Sequence, residues 1–128
     1  MQVAITWTAQ RARQHDGGVT PDDVRGLVLG LPEVVEAPHH DRTSFRVGGR
    51  IFATMPADGD PVNVLLGEEE ARAAAGGGGA ELLWWGRRVS GVRVALADAD
   101  ADMLADLLED GWRRRAPRAL VDERDAHD

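Results

Sequence analysis

The run Thr43-Ser-Phe-Arg-Val-Gly-Gly-Arg-Ile-Phe-Ala-Thr-Met55 constrains the fold more than any other part of this chain. Two stretches rich in β-branched and aromatic residues flank Gly48-Gly49. A glycine pair in that setting reads as a two-residue primed turn, whose positive φ angles match the twist of a hairpin. Folding about it sets Val47 opposite Arg50, Phe45 opposite Phe52 and Thr43 opposite Thr54, so the two aromatics share a face that needs a core. The other face then carries Arg42, Ser44, Arg46, Ile51, Ala53 and Met55, a mixed basic and apolar surface that a covering helix or a partner has to explain.

Around this hairpin the chain alternates further elements. Thr20-Pro21-Asp22-Asp23 combines an N-cap hydroxyl, a proline for the first turn and two acids at the positive end of a helix dipole. Val24, Leu27, Val28 and Leu31 follow as the buried stripe of a short helix that Gly30 and Pro32 end. Val62, Val64 and Leu66 alternate with Asn63 and Leu65 as a strand, and residues 68–75 form an alanine-rich helix expected to pack weakly before the glycine run 76–79. Leu82-Leu-Trp-Trp85 restarts the sheet. Val92, Val94 and Leu96 make the final strand, with Arg93 pointing away from their face. Asp100 caps a last helix in which Leu104, Leu107, Leu108 and Trp112 keep helical spacing, Asp102, Asp106, Glu109 and Asp110 take the wet side, and Pro117 stops the helix. The expected organisation is a flexible polar leader over 1–19 that Trp7 can anchor, one domain over 20–118, and a charged, frayed tail over 119–128.

A chain of 128 residues with 43% hydrophobic content suits one core. Cysteine is absent, so no disulfide framework or thiolate metal site is available, and packing alone must hold the fold. The first nineteen residues have no apolar segment behind a basic start, and no stretch approaches the roughly 20 apolar residues that span a bilayer. A cytoplasmic protein without a membrane partner is the expectation. The net charge of −7 argues against a generally basic nucleic-acid binder, but the charges are segregated. Residues 42–57 hold Arg42, Arg46 and Arg50 with no acid, and residues 82–97 hold Arg87, Arg88 and Arg93 with no acid, whereas residues 98–110 hold six acids and no base.

The elements in order describe an α+β sandwich, an antiparallel sheet with N- and C-terminal helices packed on one face. The segments Leu31-Pro-Glu-Val-Val-Glu36, His39-His40, Thr43 to Ala53, Val62-Asn-Val-Leu65, Val92-Arg-Val-Ala-Leu96 and Leu107-Leu-Glu-Asp-Gly-Trp112 together resemble the MmcQ/YjbR family over about residues 20–118. The resemblance implies a frataxin- or CyaY-like fold and a protein commonly labelled DNA-binding, and it brings no catalytic residue set. Arg50 stands where a lysine is common, Gly91-Val92 stands where a Gly-Trp pair often precedes the last strand, and the glycine run 76–79 looks inserted.

Weighing the chemistry leaves a binding module rather than an enzyme. His39-His40-Asp41 offers two imidazoles and a carboxylate to a metal, but neighbours in an extended segment point to opposite faces, so no metal site is assigned there. The scattered carboxylates of Asp22, Asp23 and the last helix read as solvated faces rather than an iron site. Ser44 and His40 lie too far apart along a strand for a nucleophilic pair, and the glycine run lacks the lysine and hydroxyl of a phosphate loop. In Trp84-Trp85, alternation lets one ring join the core and leaves the other open to exposure. Core packing or a helix contact is the default, and a tryptophan exposed beside Arg87 can stack on a base or dock a partner. No cofactor is expected, and a monomer is. The candidate site is nucleic-acid-binding: Arg42, Arg46, Arg50, Arg87, Arg88 and Arg93, guanidinium groups suited to phosphate. The alternative is a protein-interaction domain using the same face with Met55 or Ile51 as apolar anchor, and a metal or small-molecule site near His40 comes last.

Overall fold

The computed structural model describes residues 19–127. The leader expected over 1–19, with Trp7 and His15, falls outside them except for Val19, which is buried and donates its N–H to the Leu96 carbonyl. The elements are α1 (Pro21–Leu29), β1 (Val35–His39), β2 (Arg42–Val47), β3 (Arg50–Pro56), β4 (Val62–Leu65), α2 (Glu68–Gly76), β5 (Glu81–Trp85), β6 (Arg88–Val94), α3 (Ala101–Arg115) and α4 (Arg118–His127). The strands form one antiparallel sheet in the order β1-β2-β3-β4-β6-β5, and the fold is α+β as the element order implies.

Local chemistry sets the helix ends. The Thr20 hydroxyl accepts the Asp23 N–H at 3.1 Å while the Asp23 carboxylate accepts the Thr20 N–H at 3.0 Å, a reciprocal cap that satisfies two backbone donors. Asp100 caps α3 with a single bond, its carboxylate accepting the Met103 N–H at 3.0 Å. From there Leu104, Leu107, Leu108 and Trp112 are buried in α3, together with Val24 and Val28 in α1. Gly111 lets α3 approach the sheet closely, since a Cβ there would stand 3.1 Å from the Val64 side chain and 3.2 Å from the Leu65 carbonyl oxygen. The short helix α2 lies beside α3 on the same sheet face, over β5 and β6, with Ala71 buried as its contact.

The hairpin turns where the sequence places it. Gly48 and Gly49 take φ of 59° and 79°, and Val47 faces Arg50. The expected register holds through the next pair and then fails. Arg46 faces Ile51 but Phe45 faces Ala53, so Phe52 is the extra residue of a β-bulge, and Phe45 and Phe52 are not cross-strand partners although both are fully buried. The bulge inverts the alternation that follows. Ala53 and Met55 turn into the core, Thr43 pairs with Met55, and Ser44 pairs with Thr54 on the opposite face.

Two segments to which the sequence assigns no regular element are ordered. Residues 35–39 form the edge strand β1 against β2, where Pro38 is tolerated because an edge strand leaves one side unpaired. The segment expected as a frayed tail is the helix α4, held to α3 by ion pairs of Arg124 with Glu109 at 3.0 Å and of Arg113 with Asp125 at 2.9 Å. The hydrogen bond from Arg124, against an opposing effect of burial, holds the Glu109 carboxyl below its ordinary value of 4.5. A carboxylate with a depressed folded pKa stabilises the fold above its unfolded pKa and loses that contribution as pH falls through the folded value. Glu109→Gln should therefore lower the melting temperature by a few degrees at neutral pH, with the difference from wild type closing at acid pH below about 4.5. Thermal melts at both pH values check this, and an equal gap at both would assign the effect to packing.

Candidate nucleic-acid interface

Alternation about the observed registers sorts the strand residues into two faces. Phe45, Val47, Ala53, Met55, Val62, Val64, Val92 and Val94 line the face beneath α1, α2 and α3. The opposite face carries no helix among the described residues. One row across it reads Ala37, Ser44, Thr54, Asn63, Arg93 and Glu81, linked strand by strand through their pairings. Beside this row lie Arg42 at one end of β2, Arg46 at the other, and Arg88 on β6.

The register therefore brings Arg42, Arg46, Arg88 and Arg93 to one face, with Arg93 three strands from β2, about 14 Å at ordinary strand spacing. Glu81 is the one acid that strand positions add to this face. Arg46 is held in place, since its Nε–H donates to the Ser44 hydroxyl at 3.0 Å, and that hydroxyl donates to the Ala37 carbonyl at 2.9 Å. Ser44 is fully buried under this arrangement and is not a free nucleophile. Arg93 is exposed, as its strand position predicts, but it shares a hollow with Asp60, Glu81 and Asp98, which partly compensate its charge. Among the described residues none of the six candidate arginines lies within 4.0 Å of a carboxylate.

Two of the six stand apart. Arg50 follows the Gly48-Gly49 turn, where Gly48 abuts Pro117, and it joins Arg114 and Arg115 at the end of α3. Burial first, then the charges of Arg114 and Arg50, lower the pKa of Arg115. Arg87 is exposed at the tip of the β5–β6 hairpin, in the two-residue turn with Gly86, whose φ is 62°. The six thus form a group of four on the open face, one at its corner and one on the helix side of the β2–β3 hairpin.

The tryptophans are not core. A second bulge, with Ser90 as its extra residue, sets Trp84 opposite Val89 and Trp85 opposite Arg88. Trp84 is 52% exposed on the helix side, with the Arg72 guanidinium 5.9 Å from its ring. Trp85 is 80% exposed on the open face. It continues an apolar stripe of Val35, Ile51, Leu65 and Leu83, none of which packs on the core. Met55, expected as an apolar anchor on this surface, is fully buried, while Ile51 is on it.

The histidines do not converge with a third ligand. His39 ends β1 and His40 occupies the β1–β2 turn with φ of 60°, their rings 4.8 Å apart, and among the described residues no three of His, Cys, Asp and Glu are placed to hold a metal ion. His40 instead borders a cleft with Arg25, Glu36, Asp41, Arg42 and Thr43, in which Arg25 and Glu36 are already paired at 3.2 Å. No helix among the described residues is long and apolar enough to cross a membrane.

An antiparallel sheet covered by helices on one side and bearing arginines and an exposed tryptophan on the other defines a small α+β domain with an open sheet face. The YjbR family model matches residues 29–114, and the chain belongs to that family. Among solved structures, it is similar to the Deinococcus radiodurans protein DR2400, whose domain is of the DUF419 type, at a TM-score of 0.64 and 21% identity over 81% of this chain and 86% of that one. At that identity the likeness speaks to fold. No curated protein matches the chain significantly.

Proposed function

We propose that this YjbR-family domain is a non-enzymatic binding module that engages DNA through the open sheet face, with Arg42, Arg46, Arg88 and Arg93 on phosphates. The observation that carries the reading is the segregation of charge. A chain with a net charge of −7 places four arginines without ion-pair partners among the described residues on one helix-free face, and its dense run of acids lies on α3 across the sheet. An anionic partner is drawn to that face and repelled from the helix side, so net acidity slows encounter without cancelling the local field.

Four phosphate contacts give a logarithmic salt slope of about −3.6 on duplex DNA, so affinity should fall about a hundredfold between roughly 50 and 200 mM salt. Fluorescence anisotropy with labelled DNA measures this. The triple variant Arg42→Glu, Arg46→Glu, Arg93→Glu should abolish binding while retaining the wild-type circular dichroism spectrum, and unchanged affinity would sink the reading. The apolar stripe favours a second reading, a protein-interaction surface centred on Ile51 and Leu65. It predicts binding that hardly changes with salt.

A further inference from the structure

We infer that the nucleic acid suited to this face is single-stranded, with Trp85 as a stacking platform for an unpaired base. The inference rests on the DNA-binding reading and specifies its substrate class.

Three observations combine. Trp85 is the most exposed large apolar side chain among the described residues, at 80%, and its cross-strand partner on the same face is Arg88. An exposed indole beside a guanidinium presents a flat π surface and a cation at one point, the combination on which a base can stack while its phosphate is neutralised. The rest of the face repeats that division. Val35, Ile51, Leu65 and Leu83 supply apolar ground, and Arg42, Arg46 and Arg93 supply cations beside it. From β2 to β5 the face spans four strand spacings, about 19 Å.

A duplex uses only half of this surface. Its bases are paired and stacked on each other, so its phosphates can reach the arginines but no base face can reach Trp85 without a cost in unstacking. A single strand can lay its bases on the stripe and on Trp85 and turn its backbone to the arginines, so both kinds of side chain contribute. The two tryptophans separate in role. Trp84 points to the helix side and is occupied by Arg72, and Trp85 is left to the partner.

The test compares wild type, Trp85→Ala and the triple Arg→Glu variant against a fluorescein-labelled oligothymidine of about 15 nucleotides and a duplex of the same length. Trp85 is so exposed that its replacement leaves the fold intact, which circular dichroism checks. Wild type should prefer the single strand, and Trp85→Ala should weaken single-strand binding about tenfold while leaving duplex binding unchanged. Trp85→Phe, which keeps a stacking ring, should restore part of the loss. Equal affinity for the two forms with no effect of Trp85→Ala, alongside loss in the arginine variant, would overturn the single-strand inference and leave the DNA reading standing. No binding of either form by wild type would overturn both.

Discussion

Replacing Trp112 by alanine is expected to lower the stability of this domain by about 3–5 kcal/mol, the usual range for emptying the site of a fully buried aromatic. Trp112 has no exposed surface, and it ties together parts of the chain that are distant in sequence. Its indole N–H donates to the Pro32 carbonyl at 2.9 Å, fixing the link between α1 and β1, and the Arg124 guanidinium of α4 lies 5.7 Å from its ring. Alanine leaves a cavity under α3, an acceptor at Pro32 without its donor, and α4 without one of its docking contacts. These losses are not additive, but none offsets another. Chemical denaturation with an unchanged slope against denaturant measures the effect. Trp112→Phe separates the parts, since it keeps most of the packing and loses the donor, and it should cost about 1–2 kcal/mol. A near-neutral alanine variant would mean that the α3–sheet interface is not the core.

The parts of the fold that the sequence discloses are those set by neighbours in the chain. Thr20 and Asp23 bond to each other across three residues, Gly48 and Gly49 adopt the positive φ that only a local turn demands, and Leu104 to Trp112 repeats a helical period. What stays hidden is set at a distance. Phe52 looks like an ordinary alternating residue, and nothing in its neighbourhood announces the bulge that moves Ala53 and Met55 to the core. Residues 35–39 have too little apolar alternation to read as a strand, and β2 supplies the pairing that makes them one. The charged composition of α4 hides a helix whose ion pairs reach back to Glu109 and Arg113.

The candidate site divides along the same line. Arg42 and Arg46 lie on the face that β2 alternation gives them, before the bulge acts, and Arg93 follows its strand as expected. Charge alone groups Arg50 with them, and the three-dimensional structure places it with Arg114 and Arg115 instead. Trp84 and Trp85 illustrate the limit most clearly. Adjacent tryptophans in a strand suggest one ring in a core, but β5 is the sheet's last strand, and only the topology reveals that no further strand covers them. Alternation shows that one ring can face solvent and stack on a base, but only the register shows that the most exposed ring on the open face is Trp85 and that its neighbour there is Arg88.

Gly91→Ala is expected to be as damaging as the loss of Trp112, at about 3 kcal/mol or more, although it adds a single methyl group. Most overpacking in cores costs about 1–3 kcal/mol because side chains can shift to new rotamers. Here the added Cβ runs into the Val64 carbonyl oxygen and stands 2.9 Å from the Leu65 Cα, atoms of the β4 backbone that have no rotamer to change. Relief requires moving β6 away from β4, and that pair joins the β1–β4 part of the sheet to the β5–β6 hairpin. The Leu66 N–H also bonds to the Ser90 carbonyl next to this position, so a displaced β6 loses that contact too. Gly26→Ala provides the contrast within the same protein. Gly26 lies inside α1, where an added methyl would meet nothing within 4 Å apart from its chain neighbours and the helix's own backbone, and alanine there should stabilise by about 0.5–1 kcal/mol through helix propensity. Denaturation midpoints for the two variants should move in opposite directions. If both moved alike, close approach of β4 and β6 at Gly91 would not be what requires glycine there.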